Sequence, residues 1–130
     1  MRIEEIGIKK AQSTTNFYWY PNKVDNIEDN EGLHVGKYSY EYLFRFESHK
    51  SLMLENTQDY RNFLRNGFIY NEEGALVAYD EFWKIVEDSK NDINGHNPYG
   101  LKKDDGTFID GEFFGDYIDE GYTFSTYAFQ

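Results

Sequence analysis

The sequence predicts a small α+β domain in which an antiparallel β-sheet with an aromatic central strand is packed by two short helices. Three observations carry this. Residues 37–47 alternate Tyr38, Tyr40, Tyr42, Phe44 and Phe46 with Lys37, Ser39, Glu41, Leu43, Arg45 and Glu47, and successive side chains of a strand point to opposite faces. Read as one strand, the stretch gathers its rings into an aromatic ladder that the rest of the chain must cover. Two windows show helical spacing, and turn residues crowd the last third. At 130 residues, residues 1–130 read as a single domain. Folding a chain of this mass buries roughly two thirds of its surface, enough for a core without staples.

Taken in order, Ile3, Ile6 and Ile8 suggest an edge strand in a charged opening segment, and β-branched and aromatic residues 14–20 a second strand that Pro21-Asn22 ends. Residues 25–32 form a polar loop that turns into the ladder. Residues 48–54 favour no single form. A helix over 57–66 follows, capped by Asn56 or Thr57, with Tyr60, Phe63 and Leu64 on one side and Gly67 suited to a left-handed C′ position. Residues 68–77 read as a small hairpin around Asn71-Glu72-Glu73-Gly74. A second helix covers 80–90, with Asp80 as N-cap; Tyr79, Phe82, Trp83 and Val86 form the face laid on the ladder. Asn94-Gly95, Asn97-Pro98, Asp105-Gly106, Asp110-Gly111 and Glu120-Gly121 then mark turns. Asp105-Gly106 is a two-residue hairpin signal, and residues 122–129 a last strand.

Composition narrows the chemistry. The absence of cysteine excludes disulfides, thiolate metal sites and thiol nucleophiles. The first residues lack a signal-peptide pattern and no apolar run is long enough to span a bilayer, so the expectation is a soluble, cytoplasmic protein. His34, His49 and His96 lack metal-ligand spacing, and no nucleophile elbow accompanies them. The acid-rich tail does not make a calcium loop: Gly106 in the sixth slot puts Leu101 and Lys103 at positions one and three, and Gly95, Gly111 and Gly121 fail similarly. Asp88-Ser89-Lys90 matches only the tail of a nuclease signature and reads as a solvated helix end. No catalytic residue, metal or cofactor is predicted.

What stands out is charge. The net value is −11, and residues 66–130 carry 14 acids against 4 bases while residues 1–65 carry 10 against 9. Such a field repels nucleic-acid phosphates and anionic lipids and draws in basic surfaces, so neither nucleic acid nor membrane is an expected direct partner. In charge and size alone, over the whole chain, the protein resembles phage-encoded anti-defence inhibitors (anti-CRISPR and anti-restriction proteins) and bacterial immunity proteins against nuclease toxins. The resemblance implies an acidic inhibitor, a nucleic-acid mimic, that occludes the basic surface of a nucleic-acid-handling enzyme. The expected contact set is Asp104, Asp105, Asp110, Glu112, Asp116, Asp119 and Glu120, with Tyr117 and Tyr122 as anchors. Two rival readings stand beside it. One is an enzyme or ligand-binding module with an aromatic, carboxylate-lined pocket; the other is a subunit of a viral or bacterial assembly.

Overall fold

A computed structural model describes residues 14–39, 43–92 and 116–129; of Asn91, Asp92 and Asp116 it describes the backbone only. These residues form an α+β fold. Seven strands make one mixed sheet: β1 (Thr14–Tyr20), β2 (Leu33–Ser39), β3 (Arg45–Glu47), β4 (Phe68–Asn71), β5 (Leu76–Val77), β6 (Asp116–Asp119) and β7 (Tyr122–Ser125), in the order β5-β4-β1-β2-β3-β7-β6. The helices α1 (Thr57–Phe63) and α2 (Tyr79–Asp92) pack on one face. Every neighbouring pair is antiparallel except β3 and β7, which run parallel with Phe46 opposite Phe124.

The aromatic stretch is not one strand. Its first part belongs to β2 and its last to β3, and the two fold back on each other with Gly36 opposite Phe46 and Lys37 opposite Arg45. The alternation survives because a hairpin keeps the two-residue period in both arms. Phe44 and Phe46 are fully buried, while Tyr38 packs half-buried against the same core. As the spacing of α2 predicts, Phe82 meets Phe44 edge-on at 5.5 Å and Trp83 lies 5.9 Å from Phe46.

Several boundaries follow from local chemistry. β1 and the 68–77 hairpin stand where the sequence puts them. Asn56 caps α1, its Oδ1 accepting from Asp59 N at 2.7 Å, and the predicted helix to residue 66 ends as a 3₁₀ turn, Leu64–Asn66. Gly67 is extended rather than left-handed (φ −164°). Its requirement is steric: a Cβ there would lie 2.4 Å from the Tyr20 carbonyl oxygen and 2.5 Å from the Trp19 ring. The second helix starts at Tyr79, so Asp80 sits in its first turn and the Ala78 carbonyl accepts from Phe82 N. Residues 48–54 resolve into a 3₁₀ turn, Lys50–Leu52, closed by an isolated His49–Leu54 bridge. The opening isoleucines and the Asp105-Gly106 hairpin lie outside the described residues. Among the described residues, no helix is long and apolar enough to cross a membrane.

Candidate interaction surface

The β6–β7 hairpin turns through Glu120 and Gly121, with φ of 52° and 87°. Two positive φ values match the twist of paired strands, and glycine takes the second without strain. Asp119 and Tyr122 face each other across the turn, which fixes the placement of the predicted contact residues.

The described members of that set are held within the fold. Asp119 Oδ2 accepts from Thr57 N at 2.8 Å, which satisfies a donor at the start of α1. Glu120 takes the Arg61 guanidinium with both oxygens, at 2.8 and 3.0 Å, and these hydrogen bonds push the Arg61 pKa up. The Tyr117 hydroxyl donates to the Glu55 carbonyl, and its ring stacks 5.3 Å from Phe124. Tyr122 is only 1% exposed: it lies in the core against Phe46, with Lys90 Nζ 4.2 Å from its ring centre. Its side chain is not on the surface where an anchor has to be. Asp116 is in β6, and Asp104, Asp105, Asp110 and Glu112 lie outside the described residues.

Burial raises the Tyr122 pKa to about 12, with the Glu87 carboxylate adding to the shift, and burial also lifts Tyr60 well above its ordinary value of 10.0. Both rings are therefore held neutral by the fold. The unfolded chain releases these protons near pH 10, the folded chain only at higher pH. Their contribution to stability is complete below about pH 10 and falls at higher pH, that of Tyr122 as pH climbs through about 12. The urea midpoint is expected to drop between about pH 9 and about pH 11.5, with tyrosinate absorbance appearing as the chain unfolds; equal midpoints at the two values would remove the burial argument.

Helix α2 carries a different set of acids. Phe82, Trp83, Val86 and Ser89 point into the core, and Ser89 Oγ accepts from Phe44 N at 3.0 Å. Ser89 is thus a structural tie, although Asp88 and Lys90 on either side reach the surface. On the outer side, Asp80 and Glu87 fall seven residues apart along one flank, as do Glu81 and Asp88 along the other. Asp80, Glu81 and Glu87 are exposed and, among the described residues, have no ion-pair partner. Asp88 accepts from Lys84 at 3.1 Å, across an exposed pair of the kind worth a few tenths of a kcal/mol.

The Glu81–Asp88 flank borders a groove of about 480 Å³ between α2 and strands β5, β4, β1 and β2. Phe17, Val77 and Ile85 make its wall apolar, Tyr38 stands at one side, and Glu81 and Asp88 supply the charge.

The other sheet face holds a buried polar network that the one-strand reading hides. His34 Nδ1 lies 2.7 Å from Glu47 Oε1, and its Nε2 lies 2.7 Å from Asn16 Oδ1. Asn16 Nδ2 donates to Glu72 Oε1 at 3.0 Å, which turns its oxygen toward the imidazole and makes Nε2 the donor. His49 Nε2 donates to the His34 carbonyl at 2.7 Å, and the Tyr60 hydroxyl donates to the Glu47 carbonyl at 2.6 Å. Both ring nitrogens of His34 are thus engaged within the fold. Among the described residues, no group of three or more His, Asp or Glu is arranged to hold a metal ion.

Compared with known proteins, the chain matches no family model, no curated protein and no solved structure.

Proposed function

We propose that the protein is a small acidic inhibitor that binds and blocks a basic, nucleic-acid-binding surface of a partner protein. The observation that carries the reading is the outer face of α2, where Asp80 and Glu87 stand exposed with no cation among the described residues paired to them. Like charges on one face repel each other, and a basic partner converts that repulsion into attraction. The net charge of −11 extends the same field over the molecule and speeds encounter with a cationic surface. A partner site that evolved to hold phosphates offers the required arginines and lysines, and occupying them displaces nucleic acid. The surface proposed here centres on α2, with Asp104, Asp105, Asp110 and Glu112 as the further acids of the sequence-based set.

The test uses the whole chain as bait in lysate at low salt, followed by a competition assay with the recovered protein and labelled DNA. The expected result is a nucleic-acid-binding protein that is released as salt rises and loses its DNA when this chain is added. D80K/E87K is expected to weaken the complex by about 100-fold. Equal affinity for the reversed variant, or DNA binding untouched by excess protein, overturns the reading.

A further inference from the structure

We propose that the groove between α2 and β5 is the anchor site of this surface and seats one long cationic side chain, an arginine above all, from the partner. The inference rests on the inhibitor reading for the source of that side chain, while the site itself is argued from its own chemistry.

The groove presents two kinds of surface together. Phe17, Val77 and Ile85 offer apolar contact, and Glu81 and Asp88 place carboxylates along the α2 side. Among the described residues, no lysine or arginine lines it. An anionic or neutral polar group meets repulsion or loses water without return. A small hydrated metal ion gains nothing from the apolar wall. A purely aliphatic side chain leaves the carboxylates unused. An arginine satisfies both parts, laying its methylene stem on Phe17 and Ile85 and its guanidinium at Glu81 or Asp88. The planar guanidinium also stacks on an aromatic face, and Tyr38 stands at the groove's side.

Access is open on the acid side. Among the described residues, Glu81 is exposed and holds no ion pair, and Asp88 is engaged by Lys84 alone, whose side chain is 75% exposed. Such a pair exchanges readily for a better-placed cation. The groove's size lies inside the range of about 300–1,000 Å³ usual for ligand sites, so it holds one extended side chain with its flanking backbone.

The site is tested without the partner, by amide NMR titration of the full chain with Nα-acetyl-arginine N-methylamide. Saturable shifts are expected at Thr15, Val77 and Ile85, with a Kd in the millimolar range for a ligand this small, about 1–10 mM. The norleucine analogue, equal in stem but uncharged, is expected to bind at least about 10-fold more weakly. E81Q/D88N is expected to lose a similar factor while keeping its circular dichroism and thermal midpoint. Equal binding of the norleucine analogue, an unaffected E81Q/D88N variant, or shifts confined to other regions overturns the proposal. Failure here is distinct from failure of the inhibitor reading. A partner complex broken by D80K/E87K yet indifferent to E81Q/D88N removes the groove and keeps the inhibitor; arginine in the groove with no DNA-binding partner does the reverse.

Discussion

Phe46→Ala is expected to remove about 3–5 kcal/mol of folding stability, a large share of what a domain this size possesses. Among the described residues, five rings surround Phe46: Phe44 at 4.7 Å, Phe124 at 4.9 Å, Tyr60 at 5.1 Å, and Trp83 and Tyr122 each at 5.9 Å. They come from α1, α2, β7 and the segment entering β3, so no single element can shift to fill the void. A cavity that cannot collapse leaves the transfer loss and the packing loss both uncompensated. Urea denaturation reads the effect as a lower midpoint with little change in slope. A loss below about 1 kcal/mol would mean that Phe46 is not the centre of the core.

Glu47→Ala is expected to cost about 3 kcal/mol by a different route, because it strands a partner rather than emptying space. His34 Nδ1 loses its acceptor while Nε2 stays committed to Asn16, whose amide Glu72 holds in place. The imidazole is only 8% exposed, so water does not replace the carboxylate. His34→Leu combined with Glu47→Leu is expected to recover part of the loss, since no buried charge is left facing an empty position and only the neutral Asn16 amide oxygen loses a donor. A double-mutant cycle on urea midpoints measures the coupling, expected at about 1–3 kcal/mol. Strict additivity of the two single changes would show that the pair does not act together.

Much of the architecture is legible along the chain, for reasons that differ by element. β1, the 68–77 hairpin and both helices announce themselves through local features: β-branched and aromatic residues ended by Pro21, the Asn71–Gly74 turn, the Asn56 cap, and helical spacing of Phe82, Trp83 and Val86. The division of residues 37–47 into β2 and β3 does not. A two-residue period fits one strand or two arms of a hairpin equally, and Tyr40-Glu41-Tyr42 between them has none of the usual turn residues. A straight strand over this stretch sets His34 and Glu47 far apart and hides their contact. The parallel pairing of β3 with β7 is likewise a long-range choice that no local pattern encodes.

The surface shows the same limit. Total charge and its bias toward the second half are plain from composition, yet which carboxylates remain available depends on partners distant in sequence. Asp119 is taken by Thr57 and Glu120 by Arg61. Asp80 and Glu87 look like ordinary helix acids in sequence, and only the packing of α2 reveals that they face outward with no ion-pair partner among the described residues.

The pairing of β3 with β7 also bears on how the protein is made. Phe46 and Tyr60 need Phe124 and Tyr122 to complete their surroundings, and those rings leave the ribosome after β3 and both helices. A nascent chain carrying everything through α2 still has an open seam along β3, an unpaired edge of the kind that invites association with other chains. Folding of this domain is therefore expected to wait for β7 to emerge, with the β6–β7 hairpin acting as the closing stitch.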